Sequence, residues 1–449
     1  MTLKHDVVVV GGGIAGSLAA VAAARKGCSV IVIEETGQLG GSLTSSGTGP
    51  MMTFHAGEKQ VIRGLGEELI SRLREKGLSP GHTVDSTGYT YTVTPFDAEG
   101  MKRELELMIL EAGGNILYHA VLCDVNVSEK LIGITVLCCS QRIDIEGKVF
   151  IDATGDASLA MMAGVPVEVG RSSDGKNQPM TMNFRLSGVD IQLIRRLMDE
   201  NVSIFPFLAP HEKGLERKAV RLSCSGFQDI MKRGIESGEL DIDRDIVLFF
   251  EDNNPGEVIV NMTRISELSP VDPLEFSQAE TEGRRQVWLM YSFLKNNIPG
   301  FRNSLLLSSG PRVGVRSSRR IRGVYSITAR DMIDETKFDD GIACCGYPID
   351  IHSADGAATD STFLRWGGYY SIPYRCLIND RVSNIMAAGR DVSSTFEANA
   401  SLRVSPCCTA LGQAAGTAAA LAVKNSVSPL NVPIPELRRI LSEDGAIVE

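Results

Sequence analysis

Residues 6–35 read DVVVVGGGIAGSLAAVAAARKGCSVIVIEE. The four valines at 7–10 show no polar alternation, the pattern of a strand buried on both faces. The spacing predicts a helix over 18–25, stopped by Gly27. A second buried strand is expected over 30–33. Buried strands joined by a helix imply a parallel sheet, so the chain opens as an α/β fold.

Gly11, Gly13 and Gly16 give G-x-G-x-x-G directly after the first strand. The first glycine allows a tight turn. The second lets the backbone approach a pyrophosphate, and the third lets the helix pack closely on the strand. Ile14 and Ala15 share this turn, whose amides and helix dipole attract phosphate. Glu34 ends the second strand, where a carboxylate accepts hydrogen bonds from an adenosine ribose and disfavours a 2′-phosphate. Glu35 points to the opposite face and is the weaker acceptor. The alternative is a glycine turn without a nucleotide.

The fingerprint serves both NAD and FAD. Three features favour FAD. Gly40-Gly41-Ser42 offers a second backbone approach to the pyrophosphate. Asp152-Ala153-Thr154-Gly155-Asp156 follows three strands expected over 115–127, 131–140 and 141–149. Ala387-Ala388-Gly389-Arg390-Asp391 precedes an alanine-rich helix beginning near Pro406.

This set resembles the glutathione-reductase-like FAD-binding flavoproteins. More narrowly it resembles the FAD-dependent oxidoreductase family, which includes distant relatives of heterodisulfide reductase flavoproteins. The likeness continues through GPRVGVRSSRRIRGVYSITARDMI, GYPIDIH, YYSIPYRCLI and RVSPCCTALGQAAG, and is loose over 58–91 and 165–305. The resemblance implies that Gly11, Gly13 and Gly16 hold the pyrophosphate and Glu34 the ribose. Gly40, Gly41 and Ser42 would line the pyrophosphate and ribityl path. Val121 would contact adenine through its backbone, with Thr154, Gly155 and Asp156 close to the cofactor. Gly389 and Asp391 would reach the ribityl chain and phosphates. A helix start near Leu411-Gly412-Gln413 would face the flavin pyrimidine edge, although Gly412 and Gly416 also suit close helix packing.

The expected architecture is a Rossmann-like FAD-binding domain, discontinuous over 1–164 and 379–430. Residues 165–378 form an inserted mixed α+β substrate domain, and 431–449 a C-terminal tail helix. A helix is expected over 65–76, strands within TVDSTGYTYTVTP, and a helix after Asp97 running to Ala112.

Three stretches compete for chemistry beyond the flavin's own. The first holds Arg312, Arg316, Arg319, Arg320 and Arg322; arginine forks suit carboxylates and phosphates. As a strand it would put Arg316 and Arg320 on one face and Arg319 on the other. The second is Tyr347-Pro348-Ile349-Asp350-Ile351-His352, where Asp350 orients His352 for proton exchange. The third contains Tyr374 and Arg375, suited to covering a flavin or clamping a planar substrate. Each has a structural alternative: a salt-bridged face, a hydrogen-bonded histidine, an aromatic core strand.

The ten cysteines show no C-x-x-C spacing, so no metal site is expected and most read as reduced core residues. Cys407 and Cys408 lie where a helix dipole would favour a thiolate. The net charge of -10 argues against nucleic acid. No targeting or membrane segment is visible, and the cytoplasm is expected. The leading expectation is an FAD-dependent oxidoreductase of a small polar, anionic or polyhydroxylated substrate. An electron-transfer subunit feeding an iron–sulfur partner and a non-catalytic flavin module are the alternatives. Transient NAD(P)H, an electron-transfer protein and a second copy of the chain stay open as partners.

Overall fold

The computed structural model describes residues 1–200, 204–205, 215–242, 244–353 and 359–449. Strands Asn115–Leu117, Val30–Ile33, Thr2–Val10 and Gln141–Asp152 lie side by side in parallel, and Ile385–Ala387 also pairs in parallel with Gln141–Asp152. Leu131–Cys138 and Ala120–Val127 extend the sheet antiparallel. Val7 to Val10 are buried, as a strand covered on both faces requires. The register sets Val10 opposite Ile33 and Asp152. Gly11, Glu34 and Ala153 therefore leave the sheet at one edge, the carboxyl ends of parallel strands where such folds bind ligands.

The run expected as one strand over 115–127 is two. His119, at φ +52°, separates Asn115–Leu117, which pairs with Val30–Ile33, from Ala120–Val127 in the antiparallel part. The expected strands of TVDSTGYTYTVTP shrink to Thr83–Val84 and Thr92–Val93. Between them the buried Asp85 carboxylate accepts the Thr87 and Thr90 amides, each at 3.0 Å. That loop carries Tyr89.

The first helix begins at Ile14, a turn earlier than its apolar run suggested. It packs against the long helix Ser405–Asn425. A Cβ on Gly412 would lie 2.2 Å from the Ala15 carbonyl oxygen, and one on Gly416 2.1 Å from that of Ala19. These glycines let two backbones touch. Ser405–Asn425 is long and apolar enough to cross a membrane by length and composition, but that surface is buried in the protein.

A second core is built on an antiparallel sheet ordered Ser223–Gly226, Val247–Glu251, Val258–Val260, Phe184–Ser187, Leu305–Ser309. Every pairing in it is antiparallel. Helix Pro273–Asn297 covers it, capped by Asp272, whose side chain accepts the Leu274 and Glu275 amides. This core runs from Met180 to Val313. Ile321, Ile342, Tyr370 and Tyr374 pack instead with the first core, so the segment 165–378 divides between two cores. In the tail, helix Ile434–Glu443 buries Leu437 and Leu441 in the first core.

Candidate functional site

A cavity of about 1180 Å³ runs from the glycine turn to the second core. At its first end two glycine turns interlock. Gly40 donates its N–H to the Gly12 carbonyl at 2.9 Å, and a Cβ on Gly41 would lie 2.9 Å from the Gly13 Cα. Gly40 and Gly41 have φ of +104° and +56°, which favour glycine. The result is a wall of bare backbone, shaped for a group that needs amides and no side chains.

Gly11, Gly13, Ile14, Ala15, Glu34, Glu35, Gly40, Gly41, Ser42 and Val121 all line this end. Gly16 does not; a Cβ there would lie 1.9 Å from the Gly11 carbonyl oxygen, so it serves helix–strand packing. Glu34 Oε2 accepts the Gly12 amide, and Oε1 accepts the Thr36 amide and hydroxyl. Arg312 reaches from the second core to pair with Glu35 across the mouth.

Thr154, Gly155, Asp156 and Gly389 line the middle. Asp156 Oδ1 accepts from Arg390 at 2.8 Å and from Ser318 at 2.6 Å. Asp391 is fully buried and is not in the cavity wall; its carboxyl lies against that of Asp152, with which it shares a side-chain hydrogen bond. Burial and the neighbouring Asp152 hold its carboxyl well above the usual range.

The helix N-terminus that faces the cavity is at Ser405, not near Leu411. Val404, Ser405 and Cys408 line the wall. Gly412 and Gln413 sit about two turns deeper, Gly412 on Ala15 and Gln413 accepting the Leu65 amide at 2.8 Å. Cys407 and Cys408 lie in the first turn, but their thiols are pushed up. Cys407 is raised by Cys345 and burial, and Cys408 by burial, to about 12. Cys407 and Cys345 hydrogen-bond as a buried thiol pair, so the helix start does not act on Cys407 alone.

At the far end stand Arg316, Arg403, Arg244, Asp350, His352 and Tyr89. Asp350 is the hub. It accepts from Tyr89 at 3.0 Å and Tyr347 at 3.3 Å, and lies 3.5 Å from Arg403 and 3.4 Å from His352. Burial opposes its charge, but His352, Arg403 and the Tyr89 hydroxyl outweigh it and hold the carboxyl well below the usual range. Burial and the Arg316 charge push His352 down to about 3, so its ring is neutral at neutral pH. Burial raises the Tyr89 phenol well above its ordinary value.

Three expected residues lie elsewhere. Arg320 is buried between the carbonyls of Ser394 and Gly170, at 3.0 and 3.1 Å. Tyr374 donates its hydroxyl to Pro429 at 2.8 Å. Arg375 pairs with Asp340 at 2.9 Å. Only Arg319–Ile321 is strand, so the alternation that joined Arg316 to Arg320 does not apply. Arg403, Arg390, Tyr89 and Arg244 were missed. The first two lie in the quoted RVSPCC and AAGRD segments; nothing local marked Arg244.

A parallel sheet with a side-chain-free cradle at its carboxyl edge defines a Rossmann-type dinucleotide-binding protein. The profile of the FAD dependent oxidoreductase family matches residues 6–441, and the chain belongs to that family, with FAD as cofactor. Digeranylgeranylglycerophospholipid reductase 1 of Methanococcoides burtonii is 26% identical over 200 residues, 42% of this chain and 46% of that protein. Soluble pyridine nucleotide transhydrogenase of Hahella chejuensis is 45% identical over 60 residues, 13% of each chain. The chain thus matches less than half the length of either. The crystal structure of p-nitrophenol 4-monooxygenase from Pseudomonas putida superposes with a TM-score of 0.50 at 10% identity, covering 99% of this chain and 87% of that one. That likeness is one of fold.

Proposed function

We propose that the protein exchanges a hydride between N5 of FAD and a small polar, anionic organic substrate held at the arginine-lined end of the cavity. When bound, FAD supplies hydride or electron-pair transfer. The chain's part is to bind and orient the substrate. The observation that carries this reading is the continuity of one cavity from the Gly13–Gly41 cradle to Arg316, Arg403 and His352. Arg316 holds the anion, and Asp350 keeps Arg403, Tyr89 and His352 in position around it. The ten free cysteines support a reducing, cytoplasmic setting.

The test is the visible spectrum of the FAD-loaded protein under anaerobic mixing. Bleaching by NADH or NADPH, then recovery with an unsaturated or keto carboxylate, supports a reductase. Bleaching by a hydroxy or amino acid supports a dehydrogenase. Flavin reduced by none of these, yet reduced by an electron-transfer protein, overturns the substrate reading in favour of a subunit.

A further inference from the structure

We infer that the anionic substrate is a small organic dianion and that Arg244 selects it; this rests on reading the cavity as the substrate site. Five arginines line the cavity. Three of them have an acid. Arg312 pairs with Glu35, Arg390 with Asp156, and Arg403 with Asp350. Arg244 and Arg316 have none within ion-pair distance among the described residues.

Arg244 is 9% exposed. Its backbone amide bonds to Ile242, but its buried Nε has no acceptor, and no side chain or carbonyl among the described residues takes its guanidinium protons. Asp245, next along the chain, attracts it but is exposed and forms no ion pair with it. Arg316 donates to the Pro179 carbonyl at 2.6 Å and to the Thr181 hydroxyl, both neutral acceptors. The buried acid whose charge reaches both guanidiniums, Asp350, is already shared among Arg403, His352 and two tyrosines.

Burial lowers both guanidiniums, Arg244 to about 10 and Arg316 to about 9, so both remain charged at neutral pH. A buried cation without a counter-charge is strongly unfavourable. Two of them on one cavity wall leave room for two negative charges. A guanidinium also presents a planar fork that matches the oxygens of a carboxylate or phosphate. Asn261, Gln228 and Ser225 stand in the same wall and supply neutral partners for further substrate oxygens. The substrate class is therefore a dicarboxylate or a phosphate monoester.

The experiment titrates the FAD-loaded protein, at constant ionic strength, with succinate, methyl phosphate and the monoanion succinamate. The flavin spectrum and the thermal midpoint are the binding readouts. One of the two dianions is expected to bind about tenfold or more tighter than succinamate. Which one does so distinguishes the dicarboxylate from the phosphate ester. Arg244→Gln should erase that preference by weakening the dianion about tenfold or more while changing succinamate little, and Arg244→Lys should restore part of it. Succinamate binding as tightly as both dianions overturns the inference, as does Arg244→Gln weakening all three alike. The wild-type comparison stands alone if Arg244→Gln does not fold. Dianion preference without turnover of any dianion leaves the inference intact and removes the proposed oxidoreductase activity. Turnover of anionic substrates with no preference in kcat/KM for dianions does the reverse.

Discussion

Glu34 Oε2 accepts the Gly12 backbone N–H at 2.8 Å, tying the end of the second strand to the phosphate turn. The same carboxylate accepts the Thr36 amide at 2.8 Å and its hydroxyl at 2.7 Å. A residue read as a ribose acceptor therefore also shapes the cradle. Glu34→Ala leaves two amides without their acceptor. It is expected to cost about 1–3 kcal/mol of stability and to lower the FAD bound after purification. Denaturant unfolding with flavin quantitation checks both; unchanged stability would confine Glu34 to the ligand alone.

Gly412 and Gly416 separate packing from binding. An added Cβ meets backbone oxygen at 2.2 Å from Ala15 and 2.1 Å from Ala19, and backbone yields poorly. Each Gly→Ala change should destabilise by about 1–3 kcal/mol, less the roughly 1 kcal/mol that alanine gains in a helix. Ala15 lines the cavity and Ala19 does not. Gly412→Ala should thus loosen FAD more than Gly416→Ala does, as read by flavin dissociation rates.

Acid stability follows from His352. Burial and Arg316 push its ring down to about 3 from its usual 6.5. As pH falls through about 6.5 the unfolded chain takes up this proton and the folded one does not. The unfolded state then binds more protons, so stability falls with pH until the folded ring titrates near 3. The slope from this one ring reaches about 1.4 kcal/mol per pH unit. Above pH 7 the ring is neutral in both states and contributes no slope. Thermal midpoints from pH 7 to 4 should decline less steeply in His352→Asn than in the native protein. Equal slopes would show that His352 is not buried as a neutral ring.

Arg375 is a control. It is exposed, and its ion pair with Asp340 lies outside the cavity. Arg375→Ala should cost less than about 1 kcal/mol, as surface pairs do, and leave FAD content unchanged. A large loss of flavin would return this residue to the site.

The cofactor end was legible because its information is local. A buried strand, three glycines, a helix and a terminal acid are contiguous, and each residue type answers a backbone or phosphate demand of its own position. Arg316 and His352 could be picked out as chemistry-bearing residues, but their company could not. The five clustered arginines scatter, because only Arg319–Ile321 is strand. Arg312 and Arg316 reach the cavity, Arg320 enters the core, and Arg322 pairs with Glu168 at 3.1 Å.

The sequence by itself therefore determined the sheet edge that holds the dinucleotide, since strand burial and glycine conformations are properties of neighbouring residues. Only the tertiary structure decided which charges share the far end of the cavity. Tyr89, Arg244, Arg316, His352 and Arg403 come from separate segments, brought together where the two cores meet. Whether a buried guanidinium is paired depends on acids far away in sequence. Arg403 found Asp350; Arg244 found none among the described residues.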